Sequence, residues 1–149
     1  MRVIAMSQQD CTELLGRVSI GRLACALDNQ PYVVPVGFVY EGPNHVYVFS
    51  TLGKKIEWMR QNPKVCLQAD EVSNRSNWNS VVVNGTYLEL AEPQYSSQKQ
   101  HAIERLGEFS QWWKTPLSER REASDDLSIE PVFFRIDISE ITGLRAQPE

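Results

Sequence analysis

The chain has 149 residues, within the roughly 100–200 of one domain, so a single domain over residues 1–149 is expected. Fifteen Lys and Arg against 19 Asp and Glu leave a net charge of −4, which argues against a general nucleic-acid binder with its basic face. With 42% hydrophobic and 23% charged residues the composition is that of a folded globular protein, and no apolar run nears the ~18 residues of a membrane span.

The opening MRVIAMSQQD turns polar too early for a secretory leader. Cys11, Cys25 and Cys66 sit in apolar patterns and, being three, cannot all pair; a reduced, cytoplasmic protein is expected. Ser7 heads SQQD as a helix cap, and Cys11, Leu14 and Leu15 recur at helical spacing, predicting a helix over about 7–16. In RLACAL, Leu23, Cys25 and Leu27 alternate with Arg22, Ala24 and Ala26, which is a strand pattern. Asp28-Asn29-Gln30-Pro31 is turn chemistry, and PYVVPVGFVY is a β-branched, aromatic strand. Within it Pro35 cannot donate a ladder hydrogen bond and Gly37 has no side chain to pack, so an edge, a bulge or a close approach is expected there. Glu41-Gly42-Pro43-Asn44 turns into the strand HVYVFS.

GKKIEWMRQNP predicts a helix after Gly53 that stops before Pro63. KVCLQAD is a strand, EVSNRSN reads as a polar loop, and WNSVVVNGTYLELAE is a long strand bent near Asn84-Gly85. Ser97 and Gln100 form a capping pair for an amphipathic helix carrying Ala102, Ile103, Leu106 and Phe109. QWWKTPLSERREASDDLSIE is irregular and charged, with Trp112-Trp113 as a candidate lid, and EPVFFRIDISEITGL closes as a strand. The expected fold is mainly β (α+β): a six-stranded antiparallel split β-barrel with short flanking helices.

Two features carry chemistry. At Thr51-Leu52-Gly53-Lys54-Lys55 a strand ends, glycine turns the chain and a helix opens with two lysines. Cations at the positive end of a helix dipole are locally unfavourable, and an anion such as phosphate, held by backbone N–H groups and ammonium charge, resolves that conflict. Two solvated lysines beside a turn glycine are the alternative. In Trp78-Asn79-Ser80-Val81-Val82-Val83, Trp78 and Ser80 share a strand face and can offer an aromatic wall and a hydrogen bond to a flat heterocycle; a core tryptophan with an incidental serine is the alternative. Paired-cysteine, HExxH, GxSxG, GxGxxG and GxxxxGK[ST] motifs are all absent, which removes zinc, hydrolase-elbow, Rossmann and P-loop readings. Asp70-Glu71 and Asp125-Asp126 read as solvated loop pairs.

Taken together, PYVVPVGFVY, HVYVFSTLGKKIEWMRQNPKVCLQAD and WNSVVVNGTYLELAE resemble the pyridoxamine-5′-phosphate-oxidase-like flavoproteins, over about Ser7 to Gly143. More narrowly they are similar to the flavin-nucleotide-binding branch that includes nitroimidazole-resistance-type reductases. The resemblance implies a split-barrel homodimer with FMN at the interface. It implies that Gly53, Lys54 and Lys55 bind the phosphate, that Pro35, Val36 and Gly37 face the isoalloxazine ring, and that Phe49 and Ser50 lie beside it. Trp78 and Ser80 would border the cofactor. A flavin-dependent oxidoreductase acting on a small molecule follows, with a possible nicotinamide electron donor and no nucleic-acid or membrane partner. A non-catalytic flavin sensor is the alternative, and a haem-binding split barrel a further one, with His45 or His101 as axial ligand. Phe49 stands where nitroimidazole-resistance members tend to carry His, and FFRIDISEITGLRAQPE lacks the late histidine of vitamin B6 oxidases. Arg135 is expected to face solvent from the last strand.

Overall fold

The computed structural model describes residues 1–109, without the side chains of the last two, and 131–149. Trp112-Trp113, Asp125-Asp126 and the Phe109 side chain therefore lie outside the described residues. The elements are β1 (Arg2–Ala5), α1 (Gln8–Arg17), β2 (Ile20–Leu27), β3 (Gln30–Glu41), β4 (His45–Thr51), α2 (Lys54–Gln61), β5 (Lys64–Asn74), β6 (Asn77–Glu89), α3 (Ser96–Phe109) and β7 (Pro131–Gln147).

Every pairing is antiparallel, in the order β1-β7-β4-β3-β2-β5-β6, and β6 pairs back onto β7. The six strands β2–β7 therefore form a closed ring. The long β7 works in two halves: Pro131–Asp137 pairs with β4 and Leu144–Gln147 with β1, while β6 runs along the opposite side. Strand alternation puts Leu23, Phe38, Val48, Leu67, Val83 and Phe134 inside the ring, all essentially solvent-free. Cys11, Leu14 and Leu15 of α1 and Ile56 and Met59 of α2 join that core. A second cluster lies outside the ring, where Ala102 and Leu106 of α3 cover Val39, Tyr47 and Leu90.

The helices are also latched to the ring by charge. Arg17 of α1 makes two hydrogen bonds to Glu71 on β5 (2.8 and 3.1 Å), Arg60 of α2 two to Glu89 on β6 (2.8 and 3.0 Å), and Arg105 of α3 one to Glu41 on β3 (2.8 Å). The arginine hydrogen bonds hold Glu71 and Glu89 below the ordinary value of 4.5. Burial raises Glu41, but hydrogen bonds from His101 and Tyr47 outweigh it and its value also falls. A depressed folded-state pKa means stability that is present above the unfolded value and lost as pH falls through the folded one. The thermal midpoint should thus drop on acidification between about pH 6 and pH 3, with a shallower drop in Glu89→Gln. An equal slope in that variant would remove Glu89 from the account.

Local chemistry accounts for most boundaries. Ser7 caps α1, its Oγ accepting the Asp10 N–H at 3.1 Å. Ser7→Ala should cost about 1 kcal/mol in urea unfolding. Asp28 and Asn29 form the β2–β3 turn with φ of 50° and 64°, the left-handed region that short polar side chains tolerate. The bend at Asn84-Gly85 is a bulge: Asn84 pairs with Glu140 and Gly85 with Ile138, leaving Ser139 over.

Five expectations need correction. Asp70 and Glu71 are not a solvated loop pair: both lie within β5, paired with Arg22 and Arg17. β1 has no counterpart in the sequence reading, because four residues are too few for a period and the strand exists by pairing with β7. The polar EVSNRSN is mostly strand: β5 continues to Asn74 and β6 starts at Asn77, a polar ribbon beyond the core. Helix α3 starts at Ser96, with the Tyr95 carbonyl accepting the Lys99 N–H at 2.8 Å, so Ser97 lies inside the first turn and is no cap. Arg135 is not turned to solvent; its side chain is 16% exposed and paired with Asp137 at 2.6 Å.

Candidate functional site

The site begins where β4 hands over to α2. Gly53 precedes the helix in extended backbone (φ 173°, ψ −163°), and no side chain caps the first turn. A Cβ on Gly53 would meet nothing closer than the Thr51 carbonyl oxygen at 4.0 Å, so the space above the helix start is open. The first N–H groups there are free to take an anion. Lys54 Nζ sits 5.2 Å from the centre of the Tyr32 ring and 5.0 Å from that of Trp58, a cation held over two aromatic faces. Lys55 is half-buried; desolvation pushes its ammonium down from the ordinary lysine value, with Cys25 acting in the opposite sense. Among the described residues no carboxylate lies within 4 Å of either ammonium.

Tyr32 ties the lysines to β3. From Gln30 to Val36 this strand pairs with β2 alone; pairing with β4 starts only at Gly37↔Phe49. Pro35 thus stands on an open edge, as its missing N–H requires, and Val36 and Gly37 stand where that edge meets β4. Ser50 closes the corner. It is the buried polar side chain among the described residues, 6% exposed, and its Oγ reaches the Thr51 carbonyl only at a long 3.4 Å. A buried hydroxyl so weakly satisfied has capacity for a further hydrogen bond. Phe49 instead serves packing, its ring lying 5.3 Å from that of Phe133 beside the cluster under α3.

The Gly37↔Phe49 pairing sets Val36 and Gly37 beside the β4 end that carries Ser50 and runs on to Gly53, Lys54 and Lys55, with Pro35 next along the same strand. Trp78 and Ser80 are not part of this corner. They lie on β6, and β2 and β5 intervene between β3 and β6, three strand spacings or about 14 Å along the sheet. Ser80 Oγ accepts from Gln68 Nε2 (3.0 Å), which also reaches Asp70 (2.9 Å), itself 3.4 Å from Arg22, the register partner of Pro35. Ser80 also borders a shallow cavity of about 360 Å³ with Ala5, Val82 and Leu144. Trp78 Nε1 donates to the Arg75 carbonyl at 3.2 Å. Tyr32 and Trp58 are site residues that the sequence reading does not reach. Trp58 follows Lys54 at i+4 on one helical face and was readable, whereas Tyr32 needed the register.

The two histidines are engaged elsewhere. His45 faces Asp137 at 3.6 Å and His101 faces Glu41 at 2.7 Å, both beside Tyr47 and near α3. Burial and the Glu41 hydrogen bond push the Tyr47 hydroxyl up to about 12. No metal-holding cluster exists among the described residues, and none of their helices is long and apolar enough to cross a membrane.

An antiparallel split barrel with an anion-ready helix start beside an open strand edge defines the class. The particular family follows from comparison: a family model described as pyridoxamine 5'-phosphate oxidase matches residues 7–145, and the chain belongs to that family. An uncharacterized protein of Rhizobium meliloti (strain 1021) is 37% identical over 147 residues, 98% of this chain and 97% of that one. The crystal structure of a FAD-binding protein from Mesorhizobium loti is 42% identical, with TM-score 0.80 over 99% of this chain and all of that one. A FAD-binding protein from Mycobacterium smegmatis shares the fold at 21% identity and TM-score 0.68, covering 98% of this chain and 100% of that one.

Proposed function

We propose that this chain binds a flavin through its FMN portion and acts as a flavin-dependent oxidoreductase on a small molecule, as a cytoplasmic homodimer. The observation that carries the reading is the uncapped start of α2, with two lysines that have no carboxylate partner among the described residues, set beside the open edge of β3. Lys54, Lys55 and the first-turn N–H groups would hold the phosphate, and the β3 edge with Ser50 would meet the polar rim of the ring. The FAD-binding relative at 42% identity supports the cofactor class.

A second copy of the chain accounts for Trp78 and Ser80, which a single chain leaves about 14 Å from the β3 edge. The outward face of the sheet is apolar enough for this, with Val33 62%, Val72 65% and Leu144 50% exposed. A two-fold dimer would lay one chain's Ser80 against the other's site. The three cysteines, all free thiols, suit a reducing compartment.

A bound flavin supplies the electron transfer, with a nicotinamide as the proposed donor. The protein's part is to hold the phosphate end, present backbone and hydroxyl groups to the ring, and exclude water on one face. The purified protein should show flavin absorbance, or acquire it on adding FMN and keep it through gel filtration at dimer size. NADH or NADPH with a small acceptor should then give steady turnover. A protein that retains no flavin overturns the reading; one that retains it without turnover leaves a flavin-binding sensor.

A further inference from the structure

Lys54 is held by aromatic rings although an acid stands within reach. Glu57 follows it by three residues on the same helical face, the spacing at which lysine and glutamate ordinarily pair. Among the described residues no carboxylate comes within 4 Å of the Lys54 ammonium. The ammonium lies instead in the notch between two rings, 5.0 Å from the centre of Trp58 and 5.2 Å from that of Tyr32, whose own centres are 5.8 Å apart at 56°.

The fold builds that notch before any ligand arrives. Side chains on a helix lean toward its N-terminus, so Trp58 covers the turn that Lys54 opens. The far end of α2 is tied to β2: the Asn62 side-chain amide donates to the Ala26 carbonyl at 2.9 Å, and Ala26 is the register partner of Pro31, the residue before Tyr32. Both rings also pack against the main core. Lys55 is restrained differently, by half-burial, and among the described residues no aromatic face holds it.

A carboxylate and an aromatic face both fix an ammonium in place, with opposite consequences. The carboxylate cancels the charge, whereas the ring leaves it whole for an incoming anion. An exposed lysine gives up rotamer freedom when it meets that anion, and a lysine already restrained gives up less. We propose that Tyr32 and Trp58 are positioning residues that hold Lys54 at the start of α2 with its charge uncancelled, and so set the preference of the site for a phosphorylated over an unphosphorylated flavin. This rests on the flavin reading above. The two rings act through Lys54 alone, and Lys55 contributes its share without them.

The test is titration of the flavin-free protein with FMN and with riboflavin, followed by flavin fluorescence, in wild type, Trp58→Leu, Trp58→Phe and Tyr32→Leu. Trp58→Leu and Tyr32→Leu are repeated on Lys54→Met and on Lys55→Met, and melting curves establish which variants fold. FMN affinity should fall about fivefold in Trp58→Leu and about threefold in Tyr32→Leu, one cation–π contact each, and stay within about twofold of wild type in Trp58→Phe. Riboflavin, which carries no phosphate, should bind these variants as it binds wild type. Trp58→Leu should add nothing to Lys54→Met but keep its fivefold effect on Lys55→Met. Should Trp58→Leu fail to fold, Tyr32→Leu on the same two backgrounds carries the comparison. Equal loss of FMN and riboflavin, or a loss that persists on Lys54→Met, makes the rings structural and overturns the proposal while sparing the flavin reading. So does unchanged FMN affinity in the folded leucine variants. Failure of wild type to bind either flavin sinks the flavin reading and this proposal together.

Discussion

Replacing Lys54 and Lys55 together by alanine should weaken flavin binding by about 2–4 kcal/mol, roughly 30- to 1,000-fold. Each lysine would give the phosphate one charge-assisted hydrogen bond worth about 1.5–3 kcal/mol, and two bonds to one anion are not fully additive. Lys54 is exposed, so its share is the more salt-sensitive; Lys55 is half-buried and keeps its share at high salt. Single variants titrated at low and high salt should therefore diverge, with Lys54→Ala approaching wild type as salt rises. Stability provides the control. Two cations in the first turn oppose the helix dipole, so their removal should leave the melting midpoint unchanged or slightly raised. Unchanged flavin affinity would return both lysines to the solvated surface. Lost affinity with a lowered midpoint would mean that α2 itself had been damaged.

That site was legible because it breaks a local rule. Lysines where acids belong, after a glycine and between a strand and a helix, are a conflict visible in five consecutive residues. Ser50 was legible only through the resemblance; its burial and long hydrogen bond depend on how β4 ends against α2. Tyr32 was invisible because its place under Lys54 depends on where β3 outruns its pairing with β4. Trp78 and Ser80 show the complementary failure. Period-2 alternation put both on one face of a strand, yet only the strand order shows that β2 and β5 stand between them and the lysines. The same holds for the fold. Of the ring strands, β2 and β5 announced themselves by alternation and β3 by its β-branched and aromatic run, while β1 is held by its partner strand and the β5–β6 ribbon is mostly polar, with Val72 and Trp78 paired across it. Helix starts were legible at Ser7, whose side chain caps α1, and at Gly53, where the chain turns into α2, and shifted by a residue before Ser96, where the Tyr95 carbonyl begins the turn.

Gly85→Ala should destabilise the fold by about 3 kcal/mol, read as a lower urea midpoint. Gly85 lies in β6 between Val65 of β5 and Ile138 of β7, at the bulge that lets β6 turn along β7. A Cβ there would stand 2.5 Å from the Asp137 carbonyl oxygen and 2.6 Å from Ile136 Cγ2. Neither neighbour can yield cheaply: the first is backbone in the β7 ladder opposite Thr86, and the second is a fully buried core side chain. Relief requires moving β6 off β7, the seam that closes the ring. For a chain of this length about 3 kcal/mol corresponds to roughly 6–12 °C in melting temperature. Gly16→Ala supplies the contrast, since Gly16 lies in α1 with nothing within 4 Å of an added Cβ and should gain up to about 1 kcal/mol from helix propensity. Wild-type stability in Gly85→Ala would show that the seam can open without cost.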